Sequence, residues 1–194
     1  MSALAALLDR AASTAADTHE IDERILDAAL REIATHGTAQ ATMTDIAERA
    51  GVGRVTLFRR FGGKEALIER LVLRELSRFL AHVDATLSDI DDLGERVVEA
   101  FLLCVRAGAE HPLVARLART EPGLALERLS RGDPSPLDVG REFVAARLGS
   151  DEIADVLVRL AASYVFLPGA AVDVRDERAA RTFAERTLAP MVAR

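Results

Sequence analysis

The stretch Thr42-Met-Thr-Asp-Ile-Ala-Glu-Arg-Ala-Gly-Val-Gly-Arg-Val-Thr-Leu-Phe-Arg-Arg-Phe61 decides the fold. Thr42 can cap a helix, and Asp45 three residues on makes a capping-box arrangement. The helix that follows, about Met43–Ala50, buries Ile46, Ala47 and Ala50. Gly51-Val52-Gly53 is the turn: Gly51 allows a sharp reversal and Val52 plugs the angle between the helices. A second helix, about Arg54–Phe61, buries Leu57 and Phe61 and is broken by Gly62-Gly63. The small residues Ala47 and Ala50 let the two helices pack closely, which leaves Arg54, Val55, Thr56, Phe58, Arg59 and Arg60 on the exposed face. Two short helices joined by a Gly-containing turn form the helix-turn-helix. In that motif the second helix enters the DNA major groove and its first residues reach base edges.

Working outward, a preceding helix is expected at Ile21–His36, where Ile25, Ala29 and Ile33 share one face and Gly37 supplies the stop. A long helix starts at Lys64. Amphipathic helices follow at about Lys64–Thr86, Leu93–Ala109, Pro112–Arg119, Gly123–Ser130, Leu137–Leu148, Asp151–Phe166 and Asp176–Val192, with Gly, Pro and Asp between them. Val and Ile fall within helical spacing, and nothing reads as a strand. The expected fold is therefore all-α. It comprises a tail over 1–19, a three-helix helix-turn-helix domain over 20–66, and a larger helical domain over 67–194.

Composition narrows the functional classes. Apolar residues make up 49% of the 194 residues, enough for a core. No apolar run approaches the ~20 residues of a membrane helix. The Ala-rich start lacks the basic flank and long apolar centre of a signal peptide, and Cys104 is the single cysteine. A cytoplasmic protein without metal or cofactor is expected. The net charge of −6 opposes nucleic-acid binding only globally. From Arg49 to Lys64 the chain carries Arg49, Arg54, Arg59, Arg60 and Lys64 and no acid, a local basic window on an acidic protein. There is no Gly-x-Ser-x-Gly or His-Glu-x-x-His, and the histidines are scattered at 19, 36, 82 and 111, so an enzyme is not expected. A ligand-binding protein of the same fold without DNA binding is the other alternative.

The segment from Arg24-Ile-Leu-Asp-Ala-Ala29 through the quoted stretch to Phe61-Gly-Gly-Lys-Glu-Ala-Leu67 resembles the N-terminal domain of TetR-type repressors. The block Asp45–Val52, then Thr56-Leu57, then Phe61-x-x-Lys64-Glu65-Ala66-Leu67 carries the resemblance. It implies a homodimer on a double-stranded, pseudopalindromic operator, released by a small molecule. It further implies that Thr44, Arg54, Val55 and Thr56 face bases, and that Thr42, Phe58, Arg60 and Lys64 face the backbone, with Arg59 on the same exposed surface. Some positions depart from the pattern. Gly53 and Gly63 stand where Ser is common, Phe58 where Tyr is usual and Arg60 where His is usual. Thr38 replaces a core aromatic and Glu32 an apolar residue.

In the larger domain Phe79, Phe101, Cys104, Val105, Phe143 and Tyr164 fall on inward faces, and the resemblance implies that part of this set lines an effector cavity. An apolar lining suggests a lipid-like, acyl or aromatic effector. Ile153, Val156, Leu157, Leu160 and Tyr164 form one candidate dimer stripe, and Phe183, Thr187, Leu188 and Met191 another, with internal core as the alternative. The helix that begins at Lys64 carries Phe79 about four turns on, so one element can relate a phosphate contact to the effector domain.

Overall fold

Residues 20–167, 169 and 171–193 are described by a computed structural model, and every regular element among them is helical. The expected tail over 1–19 lies outside the described residues. In chain order the helices are α1 (Glu20–His36), α2 (Met43–Ala50), α3 (Arg54–Phe61), α4 (Lys64–Leu87), α5 (Leu93–Glu110) and α6 (Pro112–Thr120). Then come α7 (Pro122–Ser130), α8 (Pro136–Leu148), α9 (Asp151–Phe166), α10 (Glu177–Phe183), a π-helical turn (Ala184–Leu188) and α11 (Ala189–Val192).

The chain divides into two compact units, the first ending at Ser77. Its core is Ile25, Ala29 and Ile33 of α1, Ile46, Ala47 and Ala50 of α2, Leu57 and Phe61 of α3, and Leu67, Ile68 and Leu71 of α4. The division thus falls inside α4 and not at the expected 66/67 boundary, because the first turns of α4 bury their apolar face in this unit. Local chemistry sets the ends of α2. The Thr42 hydroxyl accepts from the Asp45 N–H at 3.2 Å and donates to Asp45 Oδ2 at 2.6 Å. At the other end Gly51 takes φ 65°, a left-handed conformation that a side chain would strain, and Val52 N–H reaches the Ala47 carbonyl at 3.0 Å.

The second unit begins at Arg78 and is built around α5, which is apolar on two faces. Val97, Val98, Phe101, Leu102 and Val105 pack with Ala180, Ala184, Leu188 and Val192 of the C-terminal helices. Ala100 and Leu103 lie against Val83, Leu87 and Phe143 of α4 and α8, with Phe79 and Leu80. Gly108 permits close approach of α9, since a Cβ there would stand 2.8 Å from Val165 Cγ1. The expected helix over Asp176–Val192 is interrupted at Ala184–Leu188. Pro190, two residues past the π-helical turn, has no N–H for a regular i→i−4 bond, which accounts for the break. The two expected dimer stripes also divide. Ile153, Leu157, Leu160, Tyr164, Phe183, Leu188 and Met191 pack into this unit's own core, whereas Val156 is 46% exposed.

Two outcomes check this packing. Gly108→Ala forces Val165 to move; overpacking costs about 1–3 kcal/mol, against a helix-propensity gain of at most ~1 kcal/mol. A lower melting temperature is expected. The start of α8 is closed by a reciprocal capping box: Ser135 Oγ accepts from Asp138 N–H at 3.3 Å, and Asp138 Oδ2 accepts from the Ser135 hydroxyl at 2.6 Å and the Ser135 N–H at 2.9 Å. These bonds hold the Asp138 carboxyl below its ordinary value of 3.8. A lowered carboxyl stabilises the fold above the unfolded value, and that stability is lost as pH falls through the folded value. Asp138→Asn should therefore lower the melting temperature at pH 7. The difference should vanish in denaturation curves run below the lowered value.

Candidate functional site

Helix α3 fully buries only Leu57 and Phe61 and leaves Arg54, Val55, Phe58 and Arg59 exposed. Val55, in its first turn, is 82% exposed. Arg54 lies over the Phe58 ring at 5.4 Å, a cation–π contact within the exposed face. Gly53 stands at the N-cap with no side-chain cap, so no hydroxyl occupies the position before Arg54. Thr44, Arg54, Val55, Phe58 and Arg59 are exposed, and Thr56 and Lys64 half-buried. Thr42 is exposed as well, though its hydroxyl already serves the α2 cap. Lys64 Nζ donates to the Ala39 carbonyl at 3.3 Å, and no carboxylate neutralises it, Arg54 or Arg59 among the described residues.

The other two members of the basic window are otherwise engaged. Arg60, expected at a phosphate, donates from Nη1 to Asp22 Oδ1 at 2.6 Å, with both side chains largely buried. Arg49 donates to Glu32, a carboxylate only 7% exposed that His36 Nε2 also approaches at 3.7 Å. The unusual Glu32 is thus buried with a charged partner. A third clasp was not visible in the sequence. Arg74 of α4, its side chain 10% exposed, meets Glu23 and Asp27 of α1 at 2.9 Å each and Glu75 at 2.8 Å. These pairs tie α1 to α2, α3 and α4 and hold the exposed helix in place.

In the second unit the six residues expected around an effector separate. Phe101, Val105 and Tyr164 belong to the cluster beneath α9 and α10, where Phe101, Tyr164 and Phe183 contact one another with ring centroids 5.1–5.7 Å apart. Phe79 and Phe143 belong to the other cluster. Burial pushes the Cys104 thiol to about 11, so it is protonated at neutral pH and a poor nucleophile. None of the six lines either of two grooves found among the described residues. One of those, about 330 Å³, opens above the second cluster, with Val83 and Leu87 in its floor and Asp84, Ser88, Arg96 and Arg147 at its rim. No helix among the described residues is long and apolar enough to cross a membrane.

An exposed basic helix carried on a capped two-helix turn, in a chain that also holds a larger helical unit, defines a helix-turn-helix DNA-binding protein. Residues 25–71 match the model of the tetR family of bacterial regulatory proteins. The chain is 31% identical over 164 residues to the uncharacterised HTH-type transcriptional regulator MT1294 of Mycobacterium tuberculosis, covering 81% of this chain and 79% of that one. Its fold is that of the Streptomyces coelicolor protein SCO7518, with a TM-score of 0.69 at 22% identity over 91% of this chain and all of that one. It is also that of the regulator FadR from Bacillus subtilis, solved in complex with stearoyl-CoA, with a TM-score of 0.58 at 16% identity over 88% of this chain and 96% of that one. The protein belongs to the TetR family and is a DNA-binding transcriptional regulator.

The Asp22–Arg60 contact separates two roles for Arg60. Arg60→Met and Asp22→Asn should each destabilise the fold by about 1–3 kcal/mol, and the double variant by less than their sum. A phosphate-contacting Arg60 would behave differently, leaving the melting temperature unchanged and reducing the salt slope of DNA binding by about one charge per subunit.

Proposed function

We propose that this regulator is a repressor that binds a pseudopalindromic operator as a homodimer and leaves it when a small amphipathic molecule enters the second unit. The observation that carries the DNA half is the outward face of α3, with Val55 bare beside Arg54. Arg54 is suited to guanine O6 and N7, and Val55 to a thymine methyl. Thr44 and Thr56 complete the base-facing set. Lys64 starts α4, where its charge and the helix N-terminus both favour a phosphate. Phe58, Arg59 and Thr42 flank that backbone track, and Arg60 supports the helix through Asp22.

A single short helix makes few base contacts, so specificity calls for two copies about one DNA turn apart. Helix α9 supports a two-fold partner: of its sixteen mostly apolar residues only Ala154 is fully buried within the chain. A helix left half-exposed along its length, with Val156 46% exposed, offers a surface that an isologous interface could cover. For release, one helix carries both ends of the coupling, since α4 begins at Lys64 and continues past Phe79 to Leu87. A ligand and DNA that favour different placements of α4 oppose each other through it, and a preference of ~2–3 kcal/mol weakens operator binding roughly 30- to 150-fold.

The test starts from a duplex selected from a random pool by the full-length protein. Lys64→Ala should weaken binding to every sequence and flatten the salt dependence by about one charge per subunit. Arg54→Ala should cost about 1–3 kcal/mol per half-site and relax preference at one base pair. Val156→Glu should give monomers in sedimentation and abolish tight binding. Indistinguishable salt slopes and base preferences for the Lys64 and Arg54 variants, or tight binding by a monomer, contradict the proposal.

A further inference from the structure

The geometry points to the groove between α4, α5 and α8 as a binding site for a small organic anion, a carboxylate or phosphate head on a short apolar body. This rests on the effector reading above and gives that effector a chemical class. The groove, about 330 Å³, is at the small end of ligand pockets. Its floor is apolar, with Val83 and Leu87 both buried in the cluster that holds Phe79 and Phe143. Its rim carries two guanidinium groups against one carboxylate, Asp84.

Both guanidinium groups are held in place by backbone carbonyls; Arg96 keeps its charge unneutralised, and Arg147 pairs only with the exposed Asp84. Arg96 directs Nε and Nη2 to the backbone carbonyl of Ile90, the former at 3.0 Å. A carbonyl fixes the group without neutralising it, and among the described residues Arg96 has no carboxylate partner and no hydrogen bond from Nη1. Arg147 lies flat on the Phe143 ring, its Cζ 3.4 Å from the centroid, and donates from Nη1 to the Phe143 carbonyl at 2.8 Å. That leaves Nε and Nη2 for Asp84, the former at 3.1 Å. Asp84 is 60% exposed and can rotate into solvent, whereas the stacked Arg147 stays. A planar, pre-organised guanidinium fork presents paired donors to a carboxylate or phosphate.

The acids of the neighbouring loop do not compete for these donors. The Asp92 carboxylate accepts from the Glu95 N–H at 2.7 Å, capping α5, and Asp89 accepts from the Ser88 hydroxyl at 3.2 Å. Asp89, Asp91, Asp92 and Glu95 lie outside the groove lining. An anion bound to Arg147 would take the place of Asp84, and the Asp84–Arg147 pair is a link between α4 and α8. Ligand binding therefore removes a restraint on α4, the helix that starts at Lys64.

Octanoate, octyl phosphate and octan-1-ol share a chain and differ in head group. Calorimetric titration of each into the full-length protein tests the site. Both anions should bind at least tenfold more tightly than the alcohol. Arg96→Gln and Arg147→Gln should each weaken the anions at least tenfold and leave the alcohol unaffected, Arg96→Lys should lose less than Arg96→Gln, and Asp84→Asn should tighten the anions severalfold. Arg131→Gln, on an exposed pair with Glu127, should change nothing. Whichever anion binds better identifies the head group. Equal affinity for anions and alcohol, no binding of any probe at millimolar concentration, or unchanged anion affinity in Arg96→Gln and Arg147→Gln proteins of wild-type melting temperature overturns the site. Anion binding as expected with operator affinity unmoved would keep the site and remove the release reading instead.

Discussion

Two fully buried side chains, Leu57 and Phe61, hold an eight-residue helix that leaves Arg54, Val55, Phe58 and Arg59 exposed. That imbalance is the constraint on which the first unit depends. A helix this short is not stable alone, and it cannot add apolar anchors without losing the face that meets DNA. Its placement must come from its neighbours. Gly51 and the small residues Ala47 and Ala50 let α2 come close, and the Arg60–Asp22 pair adds a polar anchor from α1. The Arg49–Glu32 and Arg74–Glu23–Asp27 contacts tie α2 and α4 to the same helix. The price is that part of the basic window serves the fold, leaving Arg54, Arg59 and Lys64 as its unneutralised cations.

The second unit meets a different constraint. Helix α5 is apolar on two opposite faces, so each face needs its own cover. The C-terminal helices cover one, with Phe101, Tyr164 and Phe183 interlocked, while α4 and α8 cover the other. The first face is tightly filled, and Gly108 marks how closely α9 approaches α5. The groove opens above the second cluster, where Arg147 stacks on Phe143 and closes the pair with Asp84.

The parts legible in the sequence were those governed by local chemistry. Thr42, Gly51 and Gly62 mark the ends of α2 and α3, and the observed bounds agree with the expected ones, because a cap is an interaction between residues three or four apart. The core positions of both helices were equally readable from their spacing. What could not be read was pairing across the chain. Asp22 and Arg60 are 38 residues apart and Arg74 and Glu23 51 apart, and nothing local announces either contact. Inward-facing aromatics alone do not say which of two clusters they join, and so Phe101 and Tyr164 were grouped with Phe79 and Phe143. Two missed features did leave a signal. Pro190 inside the last periodic stretch foretold its interruption, and Phe143 with Arg147 four residues on is the spacing at which a guanidinium can lie on a ring.

The central claim is that two copies of α3 read one face of a DNA duplex, and hydroxyl-radical footprinting of the full-length protein on its selected duplex tests it most directly. Paired recognition helices predict two protected patches of equal strength on the same face, related by two-fold symmetry and with centres about one helical turn apart, ~34–36 Å or a little more. The Arg54→Ala variant should keep both patches at higher protein concentration. A single protected patch, or uniform protection along the duplex with no preferred face, would contradict it.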